Sequence, residues 1–240
     1  MEWSDEALVL SVRPHGETAA VVELLTRDHG RHLAYVHGGR SRHNRPVLQI
    51  GNHVDATWKA RLADQLGHAT LALRRGYAAE CLSDRFALAG LAALCAMARL
   101  LPEREPQANL FETALFVAGF LGEPDVWPAL YVRWELGLLK ELGFGLDLAA
   151  CTVTGSPDDL THVSPKTGRA VSRDAAAPYA DRLLPLPAFL HPGKRAPVTR
   201  ADMAAGLRLT GHFLESRILV PQDRPVPEAR IRLLDLIDRA

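Results

Sequence analysis

The sequence predicts an α+β chain in which a small β barrel comes first and a helical body follows. Three observations carry this. Short apolar runs alternating with polar residues fill positions 7 to about 75 and are separated by glycine, proline and aspartate breakers. From residue 78 the apolar spacing changes to that of a helix. Between about 147 and 185 neither period holds, and Gly, Ser, Pro, Asp and Thr dominate. With 240 residues, 48% of them apolar, the chain can bury one large core or two modest ones.

The strand-like runs are ALVLSVRP (7–14), TAAVVELLT (18–26), RHLAYVHG (31–38), VLQIGNHVDATWKAR (47–61) and GHATLALRRG (67–76). Breakers fall at Pro14 with Gly16, Asp28 to Gly30, Gly38 to Pro46, and Asp64 to Gly67. Five strands with hairpin-like links in under 80 residues match the size of a Greek-key barrel of the OB type, although other small barrels share the count. Trp58 alternates with Ala56 and Ala60, which places it in the core or wall rather than on an exposed platform.

The helical part opens with 78–103, broken by Pro102, and continues with 108–123 and 127–144. Pro128 suits a first turn and Gly143 a stop. The run FALAGLAALCAMARLL at 86–101 is shorter than the roughly 20 residues that a membrane span needs, so it reads as a buried helix. After the irregular insertion comes a proline-broken loop, then helices over 199–219 and 227–239. The expected domains are therefore a barrel, 1–78, and a helical domain, 79–240.

The formal net charge is zero, so any polyanion site must come from local segregation. Acids in MEWSDEALVL do not suit a secretory signal, and Cys81, Cys95 and Cys151, an odd and widely spaced set, suit a reducing compartment. A cytoplasmic protein is expected. Segregation does occur: between Arg27 and Arg45 stand five arginines, four histidines and one acid, Asp28. Arg27 and Arg31 flank the second hairpin; Arg40, Arg42 and Arg45 fill the loop HGGRSRHNRP with Gly38 and Gly39; Lys59, Arg61 and Arg74 end strands. These are the candidate DNA-binding residues, through phosphate neutralisation and close backbone approach at the glycines. The competing reading is a solvated loop paired with acids from elsewhere in the fold.

Seven of ten histidines lie in the barrel, yet none has the spacing of a zinc site, and His37 and His43 read as bystanders. No G-x-S-x-G, phosphate-loop or dinucleotide glycine pattern occurs, so no catalytic site, metal or cofactor is expected. In PALYVRWELGLLKELGFG, Leu130, Trp134, Leu138 and Leu142 form an apolar stripe with Arg133 and Lys140 beside it. Core packing explains most of the stripe. Arg133 with Tyr131 and Trp134 could also rim a pocket for a carboxylate-ended hydrophobic peptide.

GETAAVVELLTRDHGRHLAYVHGGRSR, RWELGLLKELGFGLDLAACTVTG and SPKTGRAVS, in this order, resemble the RecO family of bacterial recombination mediators along the whole chain. The resemblance implies an OB fold, a helical carboxy-terminal domain and no catalysis. It also implies binding and annealing of single- and double-stranded DNA, contact with the acidic Phe-ended tail of single-strand-binding protein, and action with RecR to load RecA. The family's Gly-x-Arg loop falls on Gly38, Gly39 and Arg40, continued by Arg42, and its helix arginine falls on Arg133. Many members begin a zinc site with Cys-x-x-Cys-Gly; here that stretch reads Cys151, Thr152, Val153, Thr154, Gly155, which implies no zinc. Packing of Leu160, Val163 and Val171 should hold the insertion instead. The alternative to a DNA binder is an adaptor that reaches DNA only through protein partners.

Overall fold

The computed structural model describes residues 1–62, 65–191 and 198–239. The breaker at Asp64 and the proline-broken stretch 192–197 lie outside the described residues. Two compact units divide the chain, Met1–Pro124 and Asp125–Ala240. The change from strand to helix falls where the sequence predicts it, at residues 76 and 77, but the first helices are compact with the barrel.

In the first unit β1 (Glu2–His15), β2 (Ala19–Thr26), β3 (Gly30–Val36), β4 (His53–Lys59) and β5 (Gly67–Arg75) form a closed barrel in the order β1-β2-β3-β5-β4. Pairing of β1 with β4 closes it, and β3 meets β5 in parallel through Ala34 with Gly67 and Tyr35 with His68. The closed five-stranded barrel is of the OB type that the sequence led us to expect; the strand order, which the count leaves open, comes from the structure. Alternation sends Val9, Val22, Leu24, Ala34, Val54, Ala56 and Trp58 into the core. A Cβ on Gly67 would lie 2.1 Å from the Trp58 ring, so the indole fills the space that glycine leaves.

Two strand bounds differ from expectation. β1 starts at Glu2, because residues 2–6 pair with β4, and the charges of Glu2, Asp5 and Glu6 obscure its strand character in the sequence. Residues 47–51 are turn rather than strand: the Leu48 amide donates to Asn44 O at 2.9 Å, and the Leu48 side chain joins the barrel core.

Three helices follow, α1 (Tyr77–Glu80), α2 (Arg85–Ala98) and α3 (Ala108–Gly119). The helix expected from 78 is split because Asp84 starts a new one, its carboxylate accepting from the Phe86 and Ala87 amides at 2.8 and 3.2 Å.

The second unit contains α4 (Trp127–Glu141), β6 (Leu160–Val163), β7 (Ala170–Ser172), α5 (Arg173–Ala176), β8 (Leu184–Pro185), α6 (Arg200–Phe213) and α7 (Glu228–Arg239). Pro128 sits in the first turn of α4, and Gly143 follows its end with φ +85°. α6 opens on a Thr199–Asp202 capping box and runs into a π-helical turn at Leu214–Leu219. Gly206 lets α6 approach α4, since a Cβ there would lie 3.0 Å from Val132. The insertion is a three-stranded sheet, β7-β6-β8, with Leu160, Val163 and Val171 buried.

Candidate nucleic-acid interface

The loop between β3 and β4 is a folded structure pinned to the barrel. Gly38 takes φ +60°, and Gly39 lies so close to β2 that a Cβ would sit 2.7 Å from that of Ala20. The Arg40 amide donates to Thr18 O at 3.0 Å, and the Asn44 side-chain amide donates to His37 O and Gly38 O at 3.3 and 3.1 Å. At the far end buried Asn52 donates to Pro46 O at 2.8 Å. Gly39 thus serves close contact with Ala20.

On this frame the loop arginines differ. Arg40 directs its guanidinium to the carbonyls of Gly16 and Glu17, at 3.4 and 3.1 Å, and so braces the loop to the β1–β2 turn. Arg42 and Arg45 are exposed and have no ion pair among the described residues. Arg40 and Arg45 rim a cavity of about 400 Å³ whose apolar wall includes Val12, Pro14 and Leu48.

Most other candidate cations of the barrel are neutralised by acids remote in sequence. Arg27 pairs with Glu112 at 2.7 Å, Lys59 with Glu2 at 2.8 Å, and Arg74 with both Glu6 and Asp55. Arg31 is half-buried, bonds Leu101 O at 2.7 Å and pairs with buried Glu23, which Arg99 also meets at 2.6 Å. Arg61 is exposed with no ion pair among the described residues. Four of the candidate cations, Arg27, Arg31, Lys59 and Arg74, are therefore in salt bridges, whereas Arg42, Arg45 and Arg61 have no ion pair among the described residues.

Glu23 carries a pH prediction. Burial pushes its carboxyl up, but the Arg99 and Arg31 guanidinium groups outweigh that and hold it below its ordinary value. A carboxyl depressed in the folded state stabilises the fold above its unfolded value, and that stabilisation is lost as pH falls through the folded value. Stability of the first unit should therefore fall as pH drops below about 4.5, and Glu23→Gln should flatten that limb. Urea unfolding at pH 3 to 7 with parallel profiles for both proteins would contradict this.

The residues expected to take a peptide are placed differently. Tyr131 and Trp134 are 0% and 3% exposed inside the second unit, so they serve packing there and do not form a rim. Arg133 reaches the surface of α4, donating to Phe189 O at 2.7 Å with its guanidinium 5.8 Å from the Phe189 ring centre. On the same helix, Leu136 and Lys140 line a cavity of about 430 Å³ with Leu146 and Leu148.

A family zinc site would begin at Cys151. Its buried sulfur instead accepts from the Ser172 amide and hydroxyl at 3.2 and 3.3 Å, and no three potential metal ligands converge among the described residues. One thiol so engaged does not fit a structural zinc site.

Comparison with known proteins adds the family. The profile described as "Recombination protein O N terminal" matches residues 1–73, and "Recombination protein O C terminal" matches 82–224. The chain belongs to the RecO family. It is similar over its full length to proteins named "DNA repair protein RecO": 53% identical to that of Phenylobacterium zucineum, over 99% of the relative. The Cereibacter sphaeroides protein is 52% identical over 99% of its length, and the Rhodospirillum rubrum protein 49% over 97%, each covering 100% of this chain. Residues 74–81, between the two profiles, span the end of β5 and α1. No helix among the described residues is long and apolar enough to cross a membrane.

Sequence reasoning missed Tyr35 and His68 of the barrel surface and set His37 aside as a bystander. Tyr35, His37 and His68 meet through the parallel β3–β5 pair, with His15 edge-on to Tyr35 at 5.5 Å. No local motif links positions 35 and 68; only the barrel order brings them together.

Proposed function

We propose that this RecO-family protein is a non-enzymatic recombination mediator of the cytoplasm that binds and anneals single- and double-stranded DNA. In this reading the barrel holds phosphates electrostatically with little base readout. The observation that carries it is the acid-free pair Arg42 and Arg45 on a pinned loop, beside a cavity rimmed by Arg40 and Arg45. Arg61, exposed near the same barrel, is the remaining cation of the site, and the salt-bridged Arg27, Arg31, Lys59 and Arg74 have secondary roles.

The test is a salt series of oligonucleotide binding by the purified protein. Affinity falling steeply with salt supports the reading. An adaptor that reaches DNA only through partners would give no binding at any salt.

The reading extends to partners: the acidic Phe-ended tail of single-strand-binding protein docks on the helical unit, and the protein acts with RecR in loading RecA. For the tail, the α4 cavity supplies apolar walls and the Lys140 ammonium, its one lining carboxylate, Asp147, being paired with Arg169 at 3.3 Å; Arg133 stands on the preceding turns, outside the cavity lining. Arg133→Ala and Lys140→Ala should each weaken binding of a Phe-ended acidic peptide about tenfold or more, the scale of one charged hydrogen bond. Fluorescence anisotropy with a labelled peptide reads this, and unchanged affinity in both variants would remove the site from α4.

A further inference from the structure

A second cleft, of about 270 Å³, opens between the β3–β4 loop and the outer surface of β4 and β5. Its polar lining includes His37 and His43 from the loop, Lys59 and Thr57 from β4, and His68 and Thr70 from β5, with no carboxylate among the described residues that line it. The His37 and His68 rings are stacked with centroids 4.9 Å apart and planes 3° from parallel. Tyr35 stands edge-on to both, at 4.8 and 5.3 Å.

We propose that this imidazole cleft binds a phosphodiester group of single-stranded DNA, and that binding takes up protons. The inference rests on the DNA-binding reading above and adds a site to it. Imidazoles gain charge between pH 8 and 5. Two stacked imidazolium rings repel one another, so an anion that bridges their N–H edges removes an unfavourable pair and favours protonation. The Thr57 and Thr70 hydroxyls can donate to the same oxygens, although Thr57 also meets Ser4 at 3.0 Å. Among the described residues, the charged and titratable groups around the pair are His43, Lys59 with its partner Glu2, Tyr35, and His15 behind it. Glu2 lies on the Lys59 ammonium at 2.8 Å and offsets its charge.

The experiment measures affinity for an oligothymidylate at fixed salt from pH 8 to pH 6, for the unmodified protein and for H37Q/H68Q. The unmodified protein should bind about tenfold tighter at the acid end than at pH 8, and the affinity of the double variant should change less than about twofold over the same range. In parallel, the His37 and His68 imidazole proton signals are followed by NMR with the oligonucleotide and with inorganic phosphate alone. Saturation by oligonucleotide at far lower phosphate concentration supports the proposal; equal response to inorganic phosphate makes it a free-phosphate site and overturns it. Binding that depends on Arg42 and Arg45 but is flat with pH, or equally pH-dependent in both proteins, overturns this inference and leaves the DNA-binding reading standing. No oligonucleotide binding at any pH overturns both.

Discussion

Replacing Arg42 and Arg45 together with alanine is expected to flatten the salt dependence of oligonucleotide binding while leaving the fold unchanged. Each phosphate neutralised on a single strand contributes about −0.7 to the slope of log affinity against log salt, so losing two contacts should reduce the slope by roughly 1.4. The two side chains are exposed and carry no ion pair among the described residues, so their removal leaves no acid stranded. Arg40 is a poorer first choice, since its bonds to Gly16 O and Glu17 O brace the loop, and Arg40→Ala would mix a lost contact with a loosened support. A circular dichroism spectrum that matches the unmodified protein, with an unaltered salt slope, would move the DNA site off this loop.

The largest stability effect is expected at Glu135, in the second unit. Glu135 on α4 is fully buried and receives both Nε and Nη2 of Arg230 from α7, at 2.7 and 2.9 Å, together with the Thr210 hydroxyl from α6. Arg230 also donates to Leu207 O at 2.7 Å, and Gly211 leaves the room its guanidinium occupies. Three helices thus share one satisfied polar network. Glu135→Ala leaves a buried guanidinium without its anion and should cost about 3–5 kcal/mol. Exchanging both partners for apolar residues, Glu135→Leu with Arg230→Met, should restore most of that loss, because no charge is then stranded. Urea unfolding checks both; a single variant as stable as the unmodified protein would show that the network contributes little.

Much of the fold was legible because strand and helix periods report burial directly. The five strands, the buried Trp58, Pro128 at the start of α4 and Gly143 beyond its end follow from local pattern. The candidate site was legible only in part. Charge clustering drew attention to HGGRSRHNRP, but a local window shows neither Glu112 beside Arg27 nor Glu2 beside Lys59. Arg74 likewise meets Glu6 and Asp55 only once β1, β4 and β5 are side by side. Tyr131 and Trp134 looked suited to a pocket rim by composition, but the helix turns them into the core. The His37–His68 pair was hidden for the same reason as the salt bridges, since its partners are joined by barrel order rather than by spacing.

The way the barrel closes also constrains how it can form. Residues Glu2 to Glu6 find their strand partners at Asp55 to Lys59, and β5 must lie between β3 and β4, two strands that precede it in the chain. An emerging polypeptide can make the β1–β2–β3 meander early, while the free edge of β1 stays without its second neighbour until β4 has appeared. Non-local closures of this kind slow folding and leave strand edges open to the wrong partner meanwhile. The charged stretch WSDE at the start of β1 guards against that hazard, since charges on an unpaired edge discourage strand addition by another chain.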